Sequence, residues 1–173
     1  MKNYGDSNWK DKVTAIGGKA ITYDAIGNPL TYDGWTFTWK AGRMLASMVK
    51  TGTNAQFTYD HNGLRIKKVV NGVTTNYTLN GKNVVHMTQG SHDLHFFYDA
   101  QGKPGMVTYN DVDYFYVYNL QGDVVALIDA NGTQVVEYVY NAWGNPISKT
   151  GSLATTIGTL NPFRYRGYTY LFY

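Results

Sequence analysis

Short stretches of alternating apolar and polar residues recur along the chain, and each ends in the same short motif. A period of two residues is typical of a β-strand with one buried face. The apolar positions are the residue that opens each motif and the residue two before it. These pairs are Ile21/Tyr23, Phe37/Trp39, Phe57/Tyr59, Tyr77/Leu79, Phe96/Tyr98, Tyr116/Tyr118 and Tyr138/Tyr140. The pattern predicts one core-facing side in every strand.

The motif consists of Tyr, then Asp or Asn, two variable residues, and Gly. Its five full copies are Tyr23–Gly27, Tyr59–Gly63, Tyr98–Gly102, Tyr118–Gly122 and Tyr140–Gly144, with shorter copies opening at Trp39 and Leu79. Successive copies open 16 to 22 residues apart. An Asp or Asn side chain caps a turn, and Gly supplies the positive φ that closes it. Each copy therefore predicts the tip of a β-hairpin.

The residues between the paired apolar positions differ along the chain. They are Thr22, Thr38, Thr58 and Thr78, followed by Phe97, Val117 and Val139. This change predicts a sheet whose later strands are covered on both sides. Asn71-Gly72 and Asn131-Gly132 predict further turns between the repeats. Together these signals predict an all-β meander of roughly fifteen short strands, curled or spiral, with almost no helix.

The repeat pattern divides the chain into four segments. Residues 1–19 form a lead-in strand, and residues 20–148 form the hairpin array. Residues 149–160 are small and rich in Thr and Gly without alternation, so they predict a loop or linker. Residues 161–173 begin a different pattern.

Composition supports an all-β structure and narrows the function. Of 173 residues, 11 are Asp and one, Glu137, is Glu. Asp favours turns, whereas Glu favours helices. There is no Cys, and the net charge of +3 has scattered carriers, which does not favour nucleic-acid binding. No apolar run approaches the roughly 20 residues of a membrane span, and residues 1–20 lack a signal-peptide pattern.

The Tyr-Asp-x-x-Gly repeats resemble the YD repeats of bacterial Rhs and wall-associated polymorphic toxins and of animal teneurins. The run Asn161-Pro-Phe-Arg-Tyr-Arg-Gly-Tyr168 resembles the start of the Rhs repeat-associated core module. The resemblance covers about residues 20–170. It implies a spiral shell that encloses a toxic C-terminal domain, with the rest of the shell and the toxin as partners. It also implies secretion or a cell-surface location.

The resemblance implies no catalytic residue and no cofactor in this chain. The segment that cleaves the chain in many family members, with its Asp-Pro pairs, is absent after Gly167. We therefore expect a shell or scaffold fragment that is not an enzyme. Carbohydrate or cell-surface binding is the alternative that the family suggests.

Other residues are candidates for ligand contact. His92 and His95, with Asp93 and Asp99, are the best metal candidates, but a three-residue spacing in a strand places the two imidazoles on opposite faces. A polar turn is therefore the favoured interpretation. Trp143, at a hairpin tip, is the candidate for stacking on sugar rings. Arg164 and Arg166 are candidates for pairing with carboxylates of a core module.

The end of the array predicts an exposed sheet edge. The stretch 133–140 is long and aromatic, and its only charge is Glu137. The apolar tail 168–173 follows after a loop. Because an unpaired edge strand favours association, we expect a homo-oligomer through this C-terminal edge.

Overall fold

The computed structural model describes residues 1–167, and these form an antiparallel β-meander. Strands make up 57% of the chain and helix 4%. Sixteen strands follow one another in chain order across the sheet, which is not closed. This confirms the all-β fold class and the hairpin array. No helix in the described residues is long and apolar enough to cross a membrane.

The chain divides into two compact units, Met1–Tyr77 and Thr78–Tyr173. The first unit contains eight strands and most of a ninth. They are β1 (Lys2–Tyr4), β2 (Val13–Ile16), β3 (Lys19–Tyr23), β4 (Pro29–Tyr32), β5 (Trp35–Lys40), β6 (Met44–Lys50), β7 (Thr53–Tyr59), β8 (Arg65–Val70) and β9 (Val73–Asn80). β1 pairs with β2, so the lead-in segment contributes more than one strand.

The second unit contains seven further strands and a short helical segment. They are β10 (Asn83–Gln89), β11 (His92–Tyr98), β12 (Pro104–Tyr109), β13 (Val112–Tyr118), β14 (Val124–Ile128), β15 (Gln134–Tyr140), β16 (Pro146–Thr150) and α1 (Ile157–Leu160). A 3₁₀ turn at Tyr165–Gly167 ends the described chain.

One face of the sheet, the aromatic face, carries the residues that the sequence pattern assigned to the core. Five of the positions two before the motif are buried: Phe57, Tyr77, Phe96, Tyr116 and Tyr138. Ile21 and Phe37 are half-buried. The tyrosines that open the motif are half-buried as well, because they stand at the strand ends beside the tips. The predicted core face is therefore confirmed. Its more buried positions are those two residues before the motif, and its less buried positions are those that open the motif.

The opposite face, the outer face, differs from the prediction in the second unit. Thr22, Thr38 and Thr58 are exposed, as expected for a polar face. Phe97 and Val139, however, are 48% and 39% exposed. The prediction that the later strands are covered on both sides is wrong. The segment after β16 packs on the aromatic face, and so it leaves the outer face of these strands open.

The hairpin tips share one hydrogen-bonding pattern. In each, an Asp or Asn side-chain oxygen accepts the backbone N–H groups of the residues two and four further on, at 2.8 to 3.0 Å. The capping residues are Asp24, Asp60, Asp99, Asn119, Asp129 and Asn141. Each of these tips also has a Gly at positive φ, as the motif predicts. The two shorter copies close through Gly42 and Gly81, which also have positive φ.

The cap at Asp129 lies outside the tyrosine motif, in the turn that Asn131-Gly132 predicts. Ile128 precedes Asp129 in place of a tyrosine. The Asp129 cap closes the turn between β14 and β15, at the opposite end of the strands from the tyrosine-motif tips. Its geometry matches the repeat tips, with Asn131 and Thr133 donating to Asp129 Oδ1 at 2.9 and 2.8 Å. The Asp-x-x-Gly spacing is therefore sufficient for this turn without a tyrosine.

The stretch 133–140, predicted as an exposed edge, is not an edge. It forms β15, which pairs with β14 on one side and β16 on the other. The edge prediction is wrong because Pro146–Thr150 continues the meander by one more strand. Residues 168–173, the apolar tail, lie outside the described residues.

Lys68 on β8 is a charged residue in the core of the first unit, with 2% of its surface exposed. In the sheet register it lies between Phe57 of β7 and Thr75 of β9. Burial, with a smaller contribution from Arg65, lowers the pKa of Lys68 to about 8. Above this pKa, Lys68 is mostly neutral in the folded chain but still protonated in the unfolded chain. The free energy of unfolding should therefore rise with pH until the lysine of the unfolded chain also loses its proton.

The caps should contribute measurably to stability. Replacing Asp99 by Ala removes two acceptor bonds to backbone N–H groups and should lower the free energy of unfolding by about 1–2 kcal/mol. Asp129→Ala should cost a similar amount, because its cap has the same geometry. Gln101→Ala, at an exposed tip position, should stay within about 0.5 kcal/mol. Urea unfolding measures all three, and equal losses at Asp99 and Gln101 would contradict the capping role.

The buried Lys68 should make the free energy of unfolding depend on pH. The free energy of unfolding should rise by about 2 kcal/mol from about pH 8 to about pH 10. Lys68→Met should flatten this rise, whereas Lys67→Met, at the neighbouring half-buried position, should preserve it. Denaturant unfolding across this range measures the slope. Above about pH 10, tyrosine ionisation in the unfolded chain works in the opposite direction. An unchanged slope in Lys68→Met would show that this lysine is charged in the folded state.

Candidate functional site

Each aromatic residue that opens a repeat motif donates a hydrogen bond to the preceding strand. The tyrosine hydroxyl donates to a backbone carbonyl at 2.5 to 2.9 Å, and the Trp39 indole N–H makes the equivalent bond at 2.7 Å. The pairs are Tyr23 with Val13, Trp39 with Pro29, Tyr59 with Leu45, Tyr98 with Val84, Tyr118 with Pro104, and Tyr140 with Val124. We call these bonds the tyrosine latches.

The latches connect neighbouring tips. Tyr118 precedes the tip capped by Asn119, and its acceptor Pro104 opens the strand that leaves the tip capped by Asp99. Burial raises the pKa of Tyr98 to about 12 and raises the pKa of Tyr118 further above its ordinary value. These hydroxyls therefore remain protonated donors at neutral pH. Equivalent bonds at six of the seven repeats join successive hairpins within each unit, and the repeat that opens at Leu79 has no side-chain donor.

The segment after β16 packs onto the aromatic face of the second unit. Ile157 and Leu160 of α1 are buried, and Asn161 is fully buried. The Tyr116 hydroxyl donates to Asn161 Oδ1 at 2.8 Å, and the Tyr138 hydroxyl donates to the Gly158 carbonyl at 2.9 Å. The prediction of a linker at 149–160 is wrong, because Lys149 and Thr150 complete β16 and the residues that follow fill the core.

Phe163 is the centre of this packing. Its ring meets those of Phe96, Tyr98 and Tyr116 edge-to-face, with centroids 5.2, 6.1 and 6.2 Å apart. Tyr165 lies further along, against Gly144, where a Cβ atom would overlap its ring. The repeat glycine Gly144 thus serves both the turn and this close approach. The sequence singled out the Asn161–Tyr168 run, but gave no sign that it folds onto the array.

The two candidate arginines have different environments. Arg164 is buried, its guanidinium donates to the carbonyls of Gly158 and Thr159 at 2.7 and 3.0 Å, and it lies 4.7 Å from the Tyr138 ring centroid. It stabilises the core of this chain, and its pairing with carboxylates of a core module stays a prediction. Arg166 is exposed, with φ 52°, and its backbone N–H donates to Asp123. Arg166 remains a candidate for ligand contact.

Trp143 and the histidines complete the list of candidates. Trp143 is 85% exposed at its tip, as a binding residue requires. His92 and Asp99 are not brought together with His95: His92 Nδ1 lies 2.8 Å from the Tyr109 hydroxyl, and Asp99 caps its own tip. His95 instead lies beside Asp93 and His86. His86 was missed because it comes from a neighbouring strand.

A cleft of about 630 Å³ lies in the second unit near Arg166. Its ionisable lining groups are Asp123, Glu137, Arg166, Tyr138, Tyr140 and Tyr165. Asp123 accepts bonds from Asn119 and from the Arg166 backbone. Among the described residues that line the cleft, none is a serine, threonine or histidine.

Comparison with known proteins identifies relatives of this architecture. The family model described as Teneurin YD-shell matches residues 6–161. Over 170 residues the chain is 36% identical to the tRNA3(Ser)-specific nuclease WapA of Bacillus spizizenii and to the tRNA nuclease WapA of Bacillus subtilis strain 168. Each match covers 94% of this chain and 7% of the relative. The chain thus spans a small part of these relatives' length.

Solved structures show the same fold. The Photorhabdus luminescens Tc holotoxin pore matches 84% of this chain and 8% of its own, with a TM-score of 0.59 at 16% identity. The TcdB2–TccC3 crystal structure matches 84% of this chain and 8% of its own, with a TM-score of 0.57 at 15% identity. The family match over residues 6–161 and the 36% identity to the WapA relatives together assign the repeats to one family. The chain belongs to the teneurin YD-shell family.

Proposed function

We propose that this chain is a wall segment of a YD-repeat toxin shell, which encloses a toxic cargo domain together with the rest of its parent shell. The observation that carries this proposal is the set of tyrosine latches. Because the same hydroxyl-to-carbonyl bond recurs at all five full copies of the motif, a wall of this kind can be extended by adding hairpins. The role of such a wall is mechanical, and the chemistry belongs to the cargo.

The aromatic face is the proposed inner face of the wall. The chain leaves β16 and packs onto this face through Ile157, Leu160 and Phe163. In the family that this chain resembles, the toxin follows the shell in the sequence. A cargo that continues from this segment would therefore lie on the aromatic side, and the outer face with Thr22, Thr38 and Thr58 would meet solvent.

The edges of the sheet fit a segment of a larger wall. Among the described strands, β1 and β16 are the outermost. In a parent shell, each would pair with a further strand, since unpaired edges favour strand addition. The same property would allow the isolated chain to self-associate. With its WapA relatives named as nucleases, we infer that this chain shields a toxin, does not itself catalyse a reaction, and works in a secreted or cell-surface protein.

A chimera tests the shell role. The matched region of Bacillus subtilis WapA is replaced by this chain, and protease resistance of the part that carries nuclease activity is followed over time. We expect the chimera to protect that part as the parent protein does. The triple variant Tyr59→Phe, Tyr98→Phe and Tyr118→Phe should lose protection, because each lost latch should cost about 1 kcal/mol.

Tyr4→Phe is the matched control, since Tyr4 is exposed and lies outside the repeats. It should leave protection unchanged. Cleavage of the nuclease part as fast in the unaltered chimera as in the free nuclease part would contradict the shell role. Equal protection in the triple variant would contradict the contribution of the latches.

Carbohydrate or cell-surface binding is the second candidate, and the exposed Trp143 indole favours it. Aromatic rings that stand free of the core can stack on sugar rings. In a glycan-array experiment, Trp143→Ala should reduce binding at least about tenfold, corresponding to about 1.4 kcal/mol. Leu120→Ala is the control, because Leu120 is fully exposed at a neighbouring tip. Absence of glycan binding by the unaltered chain would eliminate this candidate.

A further inference from the structure

Three side chains with metal-binding groups meet on the outer face of the β10–β11 hairpin. His86 of β10 lies directly opposite His95 of β11 in the antiparallel register. Asp93 lies two residues before His95 and therefore on the same face. One ligand atom from each of the three residues lies within 4.8 Å of the others. We call these residues the His86–Asp93–His95 cluster.

The Asp93 carboxylate bridges the two imidazoles. Its Oδ2 lies 3.0 Å from His86 Nε2, and its Oδ1 lies 2.9 Å from His95 Nε2. The two rings stack with their centroids 4.3 Å apart and an angle of 14° between their planes. Both Nε2 atoms are therefore directed toward the same carboxylate.

The donor set fits a borderline-soft divalent cation. Two imidazole nitrogens and one carboxylate oxygen are a usual protein ligand set for Zn²⁺, at roughly 2.0–2.2 Å from the metal. Tetrahedral ligands at those distances stand about 3.3–3.5 Å apart. The carboxylate-to-imidazole distances of 2.9 and 3.0 Å need to open by only a few tenths of an ångström for this.

Solvent can reach the cluster. His86 and Asp93 are half-buried, and His95 is exposed. A metal bound here could complete its coordination with water. No long rearrangement of the backbone is required, because the strand register already holds the three side chains together.

We propose that His86, Asp93 and His95 form a Zn²⁺-binding site, with Nε2 of each histidine and a carboxylate oxygen of Asp93 as ligands. The metal takes the place of the two hydrogen bonds within the cluster. It ties β10 to β11 on the outer face of the wall, next to the exposed ring of Phe97. Since Zn²⁺ binds the folded chain at a site that the register creates, it also raises the stability of this hairpin.

The test uses the full chain and its four histidines, His61, His86, His92 and His95. Isothermal titration with ZnCl₂, in a buffer that does not chelate zinc, should show one ion bound per chain. His86→Gln and His95→Gln should each weaken binding at least about tenfold, because each removes one of three protein ligands. Asp93→Asn should weaken binding as well. His61→Gln and His92→Gln are the matched controls and should bind as the unaltered chain does.

Thermal unfolding and Co²⁺ spectra separate loss of the site from loss of the fold. Each variant should unfold cooperatively without metal, and Zn²⁺ should raise the Tm of the unaltered chain and of His92→Gln but not of His95→Gln. Co²⁺ should give visible d–d absorption that disappears in His95→Gln. Absence of zinc binding by the unaltered chain would overturn the proposal. An equal loss of affinity in His92→Gln and His95→Gln would do the same.

Discussion

The hydrogen bond from a repeat tyrosine to the carbonyl of the preceding strand is the interaction on which the hairpin array depends. A capped turn fixes the local path of the chain, but it does not specify which hairpin lies beside it. The latch supplies this connection because it spans from one tip to the next, as between Tyr98 and Val84 or Tyr118 and Pro104. A half-buried ring with a polar end suits this position, since the ring packs on the strand and its hydroxyl finds an acceptor.

The two faces of the sheet have separate roles. The aromatic face concentrates burial in Phe57, Phe96, Tyr116 and Tyr138, and the second unit adds the Phe163 ring. This burial contributes to the hydrophobic stabilisation of the fold. The outer face needs no such packing, so it can carry threonines in the first unit and the His86–Asp93–His95 cluster in the second. The outer face can therefore carry polar and metal-binding side chains.

Local rules were sufficient to predict the elements. The Asp-x-x-Gly spacing identified the tips, because capping and positive φ act within five residues. The period-two alternation identified the core face, because the pleat places every second side chain on one side. The same rules did not predict which side chains the packing of distant segments leaves exposed. Phe97 and Val139 look like core residues by hydrophobicity, and they are exposed because the C-terminal segment covers the other face.

The hairpins, their turns and the aromatic face of the strands can be predicted from the sequence, because they follow from interactions between residues close in the chain. The strand register and the docking of residues 151–167 become apparent only in the folded structure. Register brings His86 beside Asp93 and His95, and docking places Asn161 between Tyr116 and Tyr138. These contacts depend on the packing of many side chains at once. The residues that they join are therefore not related by any periodic pattern in the sequence.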